Sequence, residues 1–220
     1  MTKVRNNYAK GLISLLMQKG ESLKASLIEE VYTTSNWFNR LKEYFPEREM
    51  KSKQHFELLF QEKQATYQLM EGPDFIVVYF EQQDYIFIDY ILVTGGRGKG
   101  VGTKVLNELK SKGKAIILEV EPISPLDPDS EKRIRFYQRH DFLRMDSINY
   151  ERIHMVTNEL NVMDIFCWSP AGVSEEWVLE QMKEIYTEVH AFKTYEVYGK
   201  EPQPVTEVLI LKESLEGAIQ

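Results

Sequence analysis

The sequence has a single cysteine among its 220 residues, Cys167, so no intramolecular disulfide and no cysteine-based metal cluster can form. Cys167 stands in the apolar run Val162–Trp168 and reads as a small buried side chain rather than a reactive thiol. There is no excess of positive charge: 27 Lys and Arg against 34 Asp and Glu leave a formal net charge of -7, which argues against nucleic acid as the main partner. No stretch approaches the length of a membrane span. The mildly apolar Gly11–Met17 is short and amphipathic and lacks a small-residue cleavage site. Internal repeats and low-complexity tracts are absent. These features together fit a reducing cytoplasm.

What is present is a normal globular share of hydrophobic residues, 43%, in a chain suited to one core with extensions. Residues 5–62 read as helical. Tyr8, Leu12, Leu15 and Leu16 keep helical spacing up to Gly20, and Leu23, Leu27, Ile28 and Val31 follow a candidate cap at Ser22. Trp37, Phe38, Leu41 and Tyr44 make a third stripe before Pro46, and Phe56, Leu58, Leu59 and Phe60 belong to a helix from about Met50. The period then changes. Segments 65–71, 75–81 and 85–93 are rich in β-branched and aromatic residues. They are separated by Gly72-Pro73-Asp74 and Gln82-Gln83-Asp84, which predicts a three-stranded antiparallel meander. Beyond a glycine-rich loop the pattern predicts a helix over 103–111, a buried strand over 115–120, a helix over 130–140 and a strand opened by Phe142. The tail reads as a strand over 161–168, a helix capped by Ser174 that reaches about Phe192, and a strand over 206–211. This order gives a mixed α/β (α+β) layer fold around a largely antiparallel sheet.

The loop carries the chemistry. From Gly95 to Gly102 there are five glycines in eight positions, between a strand and a helix. Glycines let successive backbone N–H groups converge on one point, a helix N-terminus adds partial positive charge, and Arg97, Lys99 and Lys104 add full charges. The expected ligand is a phosphate or pyrophosphate. No register fits the P-loop pattern. The dinucleotide fingerprint is met at Gly98 and Gly100 but has Thr103 at its third position. Glu119, 19 residues after Gly100, lies near where a ribose-binding acid would stand. A nucleotide-dependent oxidoreductase thus stays open on the residues alone.

Arg97-Gly98-Lys99-Gly100-Val101-Gly102 resembles the acetyl-CoA motif R/Q-x-x-G-x-G/A of the GNAT N-acetyltransferases. Around it, Tyr90-Ile91-Leu92-Val93 resembles the family's fourth strand and Leu118-Glu119-Val120-Glu121 its fifth. Phe136-Tyr137-Gln138-Arg139-His140-Asp141-Phe142 is similar to the segment F-Y-x-x-x-G-F, with Asp141 in place of the glycine. The resemblance implies a single acetyltransferase domain over residues 1–220, with a helical N-terminal part (1–62), an acetyl-CoA-binding core (65–150) and a C-terminal β-α-β extension (155–220). It implies a central sheet whose fourth and fifth strands splay apart to admit the pantetheine arm. Leu92 and Val93 would then hold the acetyl arm, and Arg97, Gly98, Lys99, Gly100, Val101, Gly102 and Thr103 the pyrophosphate.

The reaction implied is direct attack of a primary amine on acetyl-CoA in a ternary complex, with no metal. Tyr137 matches the family's acid for the leaving thiolate. Asp89, which shares a face with Ile91 and Val93 by period 2, and Glu119 are candidate proton acceptors. The acceptor amine is unidentified, a homodimer stays open, and so does a non-catalytic acyl-CoA-binding module on the same fold.

Overall fold

The computed structural model describes residues 36–94 and 99–212. The sequence readings over residues 1–35, and Arg97 and Gly98 of the glycine loop, lie outside the described residues. The chain divides into two units, residues 1–40 and 41–220. Of the first, residues 36–40 are described, and they begin helix α1 (Trp37–Tyr44). The second unit carries the remaining elements.

After a 3-10 turn at Glu47–Glu49, helix α2 (Lys53–Glu62) starts at Ser52, whose hydroxyl accepts the backbone N–H of His55. The predicted meander follows as β1 (Tyr67–Gly72), β2 (Phe75–Glu81) and β3 (Tyr85–Val93). Helix α3 (Val101–Lys110) then crosses to β4 (Ala115–Val120), which pairs with β3 in parallel. A parallel neighbour requires such a crossover, so the change from tight turns to a helix marks the one parallel pair of the sheet. Helix α4 (Ser130–Gln138) and a two-residue β5 (Leu143–Arg144) come next. The six-stranded sheet has the order β1-β2-β3-β4-β8-β5, where β8 is Asp164–Trp168.

Between α4 and β5 the chain reverses through Asp141, at φ 60. That left-handed conformation is why the related motif carries glycine there; Asp is among the few residues that tolerate it.

The tail departs from its sequence reading in four places. A separate strand β6 (Ile148–Ile153) follows β5. The run 161–168 breaks at Met163, whose N–H bonds the Tyr150 carbonyl, giving β7 (Leu160–Val162) and β8 in different sheets. Helix α5 (Glu175–Ile185) loosens into a π turn over Tyr186–His190 and is followed by a short α6 (Thr194–Tyr198). The last segment coils as α7 (Val205–Val208), so only β9 (Leu209–Leu211) is extended; β7, β6 and β9 form a second, three-stranded sheet.

One face of the main sheet packs on α3 and α4 through Val77, Ile88, Leu106, Leu118, Ile134 and Phe166. The opposite face meets α2 and α5 through ring contacts such as Phe56–Tyr90, Phe60–Tyr67 and Tyr85–Trp177. Among the described residues no helix is long and apolar enough to cross a membrane.

Candidate active site

The site begins with a defect in the sheet. Val78 pairs with Tyr90 and Tyr79 with Ile88, so Asp89 is one residue too many for its partner strand. A bulge of this kind bends and over-twists the strand that carries it. It also overturns the alternation read from sequence. Asp89 lies beside Tyr90 on the α2 side, both bonded to Lys51, while Ile91 packs with Val77 on the opposite face. Pairing between β3 and β4 runs from Tyr85↔Ala115 to Ile88↔Leu118 and stops there. Asp89–Val93 and Glu119–Val120 therefore have no partner in each other, and the two strands part at the bulge.

Into this opening the fold places a chain of buried polar groups. Lys51 Nζ lies 2.7 and 2.8 Å from the Asp89 carboxylate oxygens, and the Tyr67 hydroxyl donates to the same carboxylate at 2.5 Å. On its other side Lys51 Nζ is 3.3 Å from His190 Nδ1, and His190 Nε2 is 2.8 Å from Glu119 Oε1. An ammonium can only donate, so Nδ1 accepts, and the imidazole proton sits on Nε2 and points at Glu119. The π turn is what aims His190 inward, between Lys51 and Glu119. Burial pushes His190 down, against the pull of Glu119, and the Lys51 and Arg152 charges add to it. Burial alone would raise the Glu119 carboxyl, but His190 above all, by charge and by hydrogen bond, and then the Arg152 and Lys51 charges hold it low, at about 2. Lys51 is pushed down by burial in spite of Asp89. The Tyr90 hydroxyl accepts the N–H of Lys51 and donates to the Glu49 carbonyl, which fixes the 47–51 segment against β3.

At the mouth of the opening stands a second acidic pair. Glu49 is raised to about 7, by burial first and then by the charge and hydrogen bond of Glu121. Glu121 is held by Arg48 at 3.4 Å and by Arg133 at 3.2 Å. Glu49 borders two clefts. The inner one, a narrow space of about 20 Å³, is lined by Lys51, His55, Tyr90, Arg152, His154 and Tyr198 among others. The outer one, about 370 Å³, runs past Glu121 and Glu159 to Met163.

The glycine loop leads into α3. Gly100 caps that helix with φ 68, a left-handed conformation that glycine adopts without strain. The first N–H groups of the helix have no partner within it. A Cβ on Gly102 would stand 3.0 Å from the Phe136 ring, so α3 and α4 approach through that glycine. Thr103 Oγ1 meets His140 Nε2 at 3.1 Å. Leu92 is buried and Val93 exposed at the free end of β3.

Of the sequence candidates, Asp89 and Glu119 are brought into one network. Tyr137 lies elsewhere, on α4 in the core against Phe142 and Phe166, with its phenol raised to about 12 by burial. Cys167 is buried on β8, its thiol likewise pushed up to about 12 by burial, which makes it a poor nucleophile. No three His, Cys, Asp or Glu among the described residues are arranged to hold a metal ion. Sequence reasoning missed Lys51, His190, Arg152 and Glu49. No local signal in the sequence pointed to them: Glu49 and Lys51 stand in the charged stretch 47–53, Arg152 follows Glu151, and His190 lies in a run that reads as helix.

No protein-family model matches the chain. It is 46% identical over 175 residues to a Bacillus subtilis (strain 168) protein named "Putative acetyltransferase YjbC", over 79% of this chain and 91% of that one. Its fold is similar to a solved structure described as "Putative acetyltransferase from GNAT family from Bacteroides thetaiotaomicron", with TM-score 0.57 and 19% identity, over 80% of this chain and 96% of that one.

Proposed function

The chain belongs to the GNAT family of acetyltransferases, and from that premise we propose that it transfers the acetyl group of acetyl-CoA directly to a primary amine in the opening between β3 and β4. The observation that carries this reading is the end of β3–β4 pairing at Ile88↔Leu118, with the glycine-capped N-terminus of α3 just beyond the free end of β3. An opened strand pair offers backbone N–H and C=O groups to an amide-bearing arm. Leu92 and Val93 line that arm. Lys99, Gly100, Val101, Gly102 and Thr103, with Arg97 and Gly98 of the same motif, take the pyrophosphate.

In this reading the amine nitrogen attacks the thioester carbon, the carbon–sulfur bond breaks, and the products are an N-acetylated amine and CoA. Three proton movements accompany it. The ammonium loses one before attack, and the departing sulfur takes one. The nitrogen sheds a second as the amide forms, which restores the group that protonated the sulfur. An amine arrives protonated at neutral pH and must lose a proton to attack. Asp89 has its carboxylate oxygens taken by Lys51 and Tyr67, and Glu119 is held low, so both position rather than accept. Glu49, near 7 at the mouth of the opening, has the match to neutral pH that a general base needs. Tyr137 keeps its proton throughout the neutral range and is the group assigned to the departing sulfur.

The test is CoA release across primary amines together with acetyl-CoA binding, in wild type and Tyr137→Phe. Turnover should fall on the order of 10²-fold with binding unchanged. Equal turnover would make Tyr137 a core aromatic only. CoA binding with no amine ever turned over would mark a non-catalytic binding module.

A further inference from the structure

Strand β7 is an outer strand of the second sheet, and one side of it is unpaired. Its register on β6 is Glu151↔Val162, Arg152↔Asn161 and Ile153↔Leu160. The flanking bonds run from the Met163 N–H to the Tyr150 carbonyl and from the His154 N–H to the Glu159 carbonyl. In an antiparallel ladder this pattern makes Arg152↔Asn161 the pair that exchanges both backbone bonds, and the two pairs beside it exchange none. The N–H and C=O groups of Leu160 and Val162 therefore project away from β6. Among the described residues they have no bonded partner. Edge strands are usually guarded by a charge, a proline or a covering element. The sequence Leu160-Asn161-Val162 carries no such guard, and Leu160 is 56% and Val162 44% exposed.

This edge borders the outer cleft, which residues 159–163 line together with Arg48, Glu49 and Glu121. Asn161 Nδ2 donates to the Arg48 carbonyl at 2.9 Å, so β7 is fastened to the segment that carries Glu49. The cleft, about 370 Å³, has the carboxyls of Glu49, Glu121 and Glu159 against the single guanidinium of Arg48. That balance suits a cation and opposes a carboxylate. A free strand edge takes an extended peptide through backbone hydrogen bonds. Leu160 and Val162 stand about 7 Å apart along the strand, so the edge matches about three residues of an added strand. A peptide's α-ammonium lies on its own backbone, so a short peptide paired to β7 brings that cation into the cleft that Glu49 borders. We propose that the acceptor is the N-terminus of an extended peptide segment, which adds as a strand to the free edge of β7 and presents its α-amine to Glu49. This rests on the reading of the opening as an acetyl-transfer site and adds the substrate class.

The experiment measures CoA release from acetyl-CoA with the tetrapeptide amide Ala-Val-Ala-Val, with alaninamide, and with the peptide N-methylated singly at its second, third or fourth residue. The peptide should exceed alaninamide in kcat/KM by roughly tenfold or more, the scale of two net backbone hydrogen bonds. A strand turns its N–H groups alternately to its two sides, so N-methylation at alternate residues only should remove most of that gain. Val162→Pro deletes one N–H from the free edge and no bond to β6, a placement that edge strands tolerate. It should lower the ratio of peptide to alaninamide several-fold. Alaninamide as good as the peptide, N-methyl analogues all equal to the parent, or an unchanged ratio in a folded Val162→Pro would overturn the proposal. So would faster turnover of an N-terminally blocked peptide with one internal lysine. If Val162→Pro does not fold, the N-methyl series on wild type decides alone. If no amine of any kind releases CoA, the acetyl-transfer reading fails. Fluorescence anisotropy of the tetrapeptide, labelled at its C-terminus, then judges the edge separately with wild type and CoA. Binding weakened by N-methylation at alternate residues supports it; no binding, or binding that no N-methyl group weakens, refutes it.

Discussion

Removing the ammonium of Lys51 should be the most damaging single change in the polar network. Lys51 is 8% exposed and Asp89 3%, and the ammonium touches both carboxylate oxygens. In Lys51→Met the long apolar stem is retained, so little packing is lost. Asp89 would keep only the Tyr67 hydroxyl, and an uncompensated carboxylate would stand buried at the end of the β3–β4 pairing. Breaking one partner of a buried ion pair costs about 3–5 kcal/mol. That is a large part of the roughly 5–15 kcal/mol by which a domain is stable. For a domain of this size it corresponds to a Tm lower by roughly 6–20 °C. The assay is urea denaturation read by fluorescence and circular dichroism together, with Tm from calorimetry. The double variant Lys51→Met/Asp89→Leu removes both charges and should recover most of the loss, because buried pairs replaced by apolar groups are often neutral. A loss below about 1 kcal/mol in Lys51→Met, or a double variant as unstable as the single one, would show that the pair is solvated and that no desolvated network holds the strands apart.

Gly100→Val should weaken acetyl-CoA binding at least tenfold by calorimetric titration. A branched side chain there meets the approaching phosphate and sits at φ 68, where L-residues cost about 1–2 kcal/mol; unchanged affinity in a folded variant would move the pyrophosphate site elsewhere. Glu119 titrates at about 2 in the folded protein, below its ordinary value of 4.5. The folded state thus binds fewer protons than the unfolded one across that window. Its contribution is complete above pH 4.5 and is lost as the pH falls toward 2. Glu119→Gln should flatten that part of the acid limb in urea titrations, and an identical slope would mean that Glu119 is solvated.

The meander was legible because local rules decide it. Turn residues at Gly72-Pro73-Asp74 and Gln82-Gln83-Asp84 bracket runs of β-formers, and β2 and β3 span the ranges the pattern gives. The glycine loop was legible for the same reason. The bulge at Asp89 was not, because it depends on the register of β2 against β3, and a single extra residue reversed the face of Asp89. The polar network was hidden for a related reason. Lys51 and Asp89 are 38 residues apart, and His190 and Glu119 are 71, so no spacing rule joins them. His190 also lies in a run that reads as continuous helix, yet the chain there takes π geometry, with the His190 ring against Phe87 and its Nε2 on Glu119. In the tail, Thr206–Val208 read as strand, yet Pro204 opens a helical turn that carries them before β9.

The direct test of the central claim, that the opening between β3 and β4 turns an ammonium into a nucleophile through Glu49, is the pH dependence of kcat/KM for CoA release with a saturating donor, in wild type and Glu49→Gln. The predicted wild-type profile rises with an apparent pKa near 7, the value that burial and Glu121 impose on Glu49. Glu49→Gln should lose that limb and fall in rate on the order of 10²-fold, with acetyl-CoA affinity retained. The same rising limb and rate in Glu49→Gln would contradict the claim.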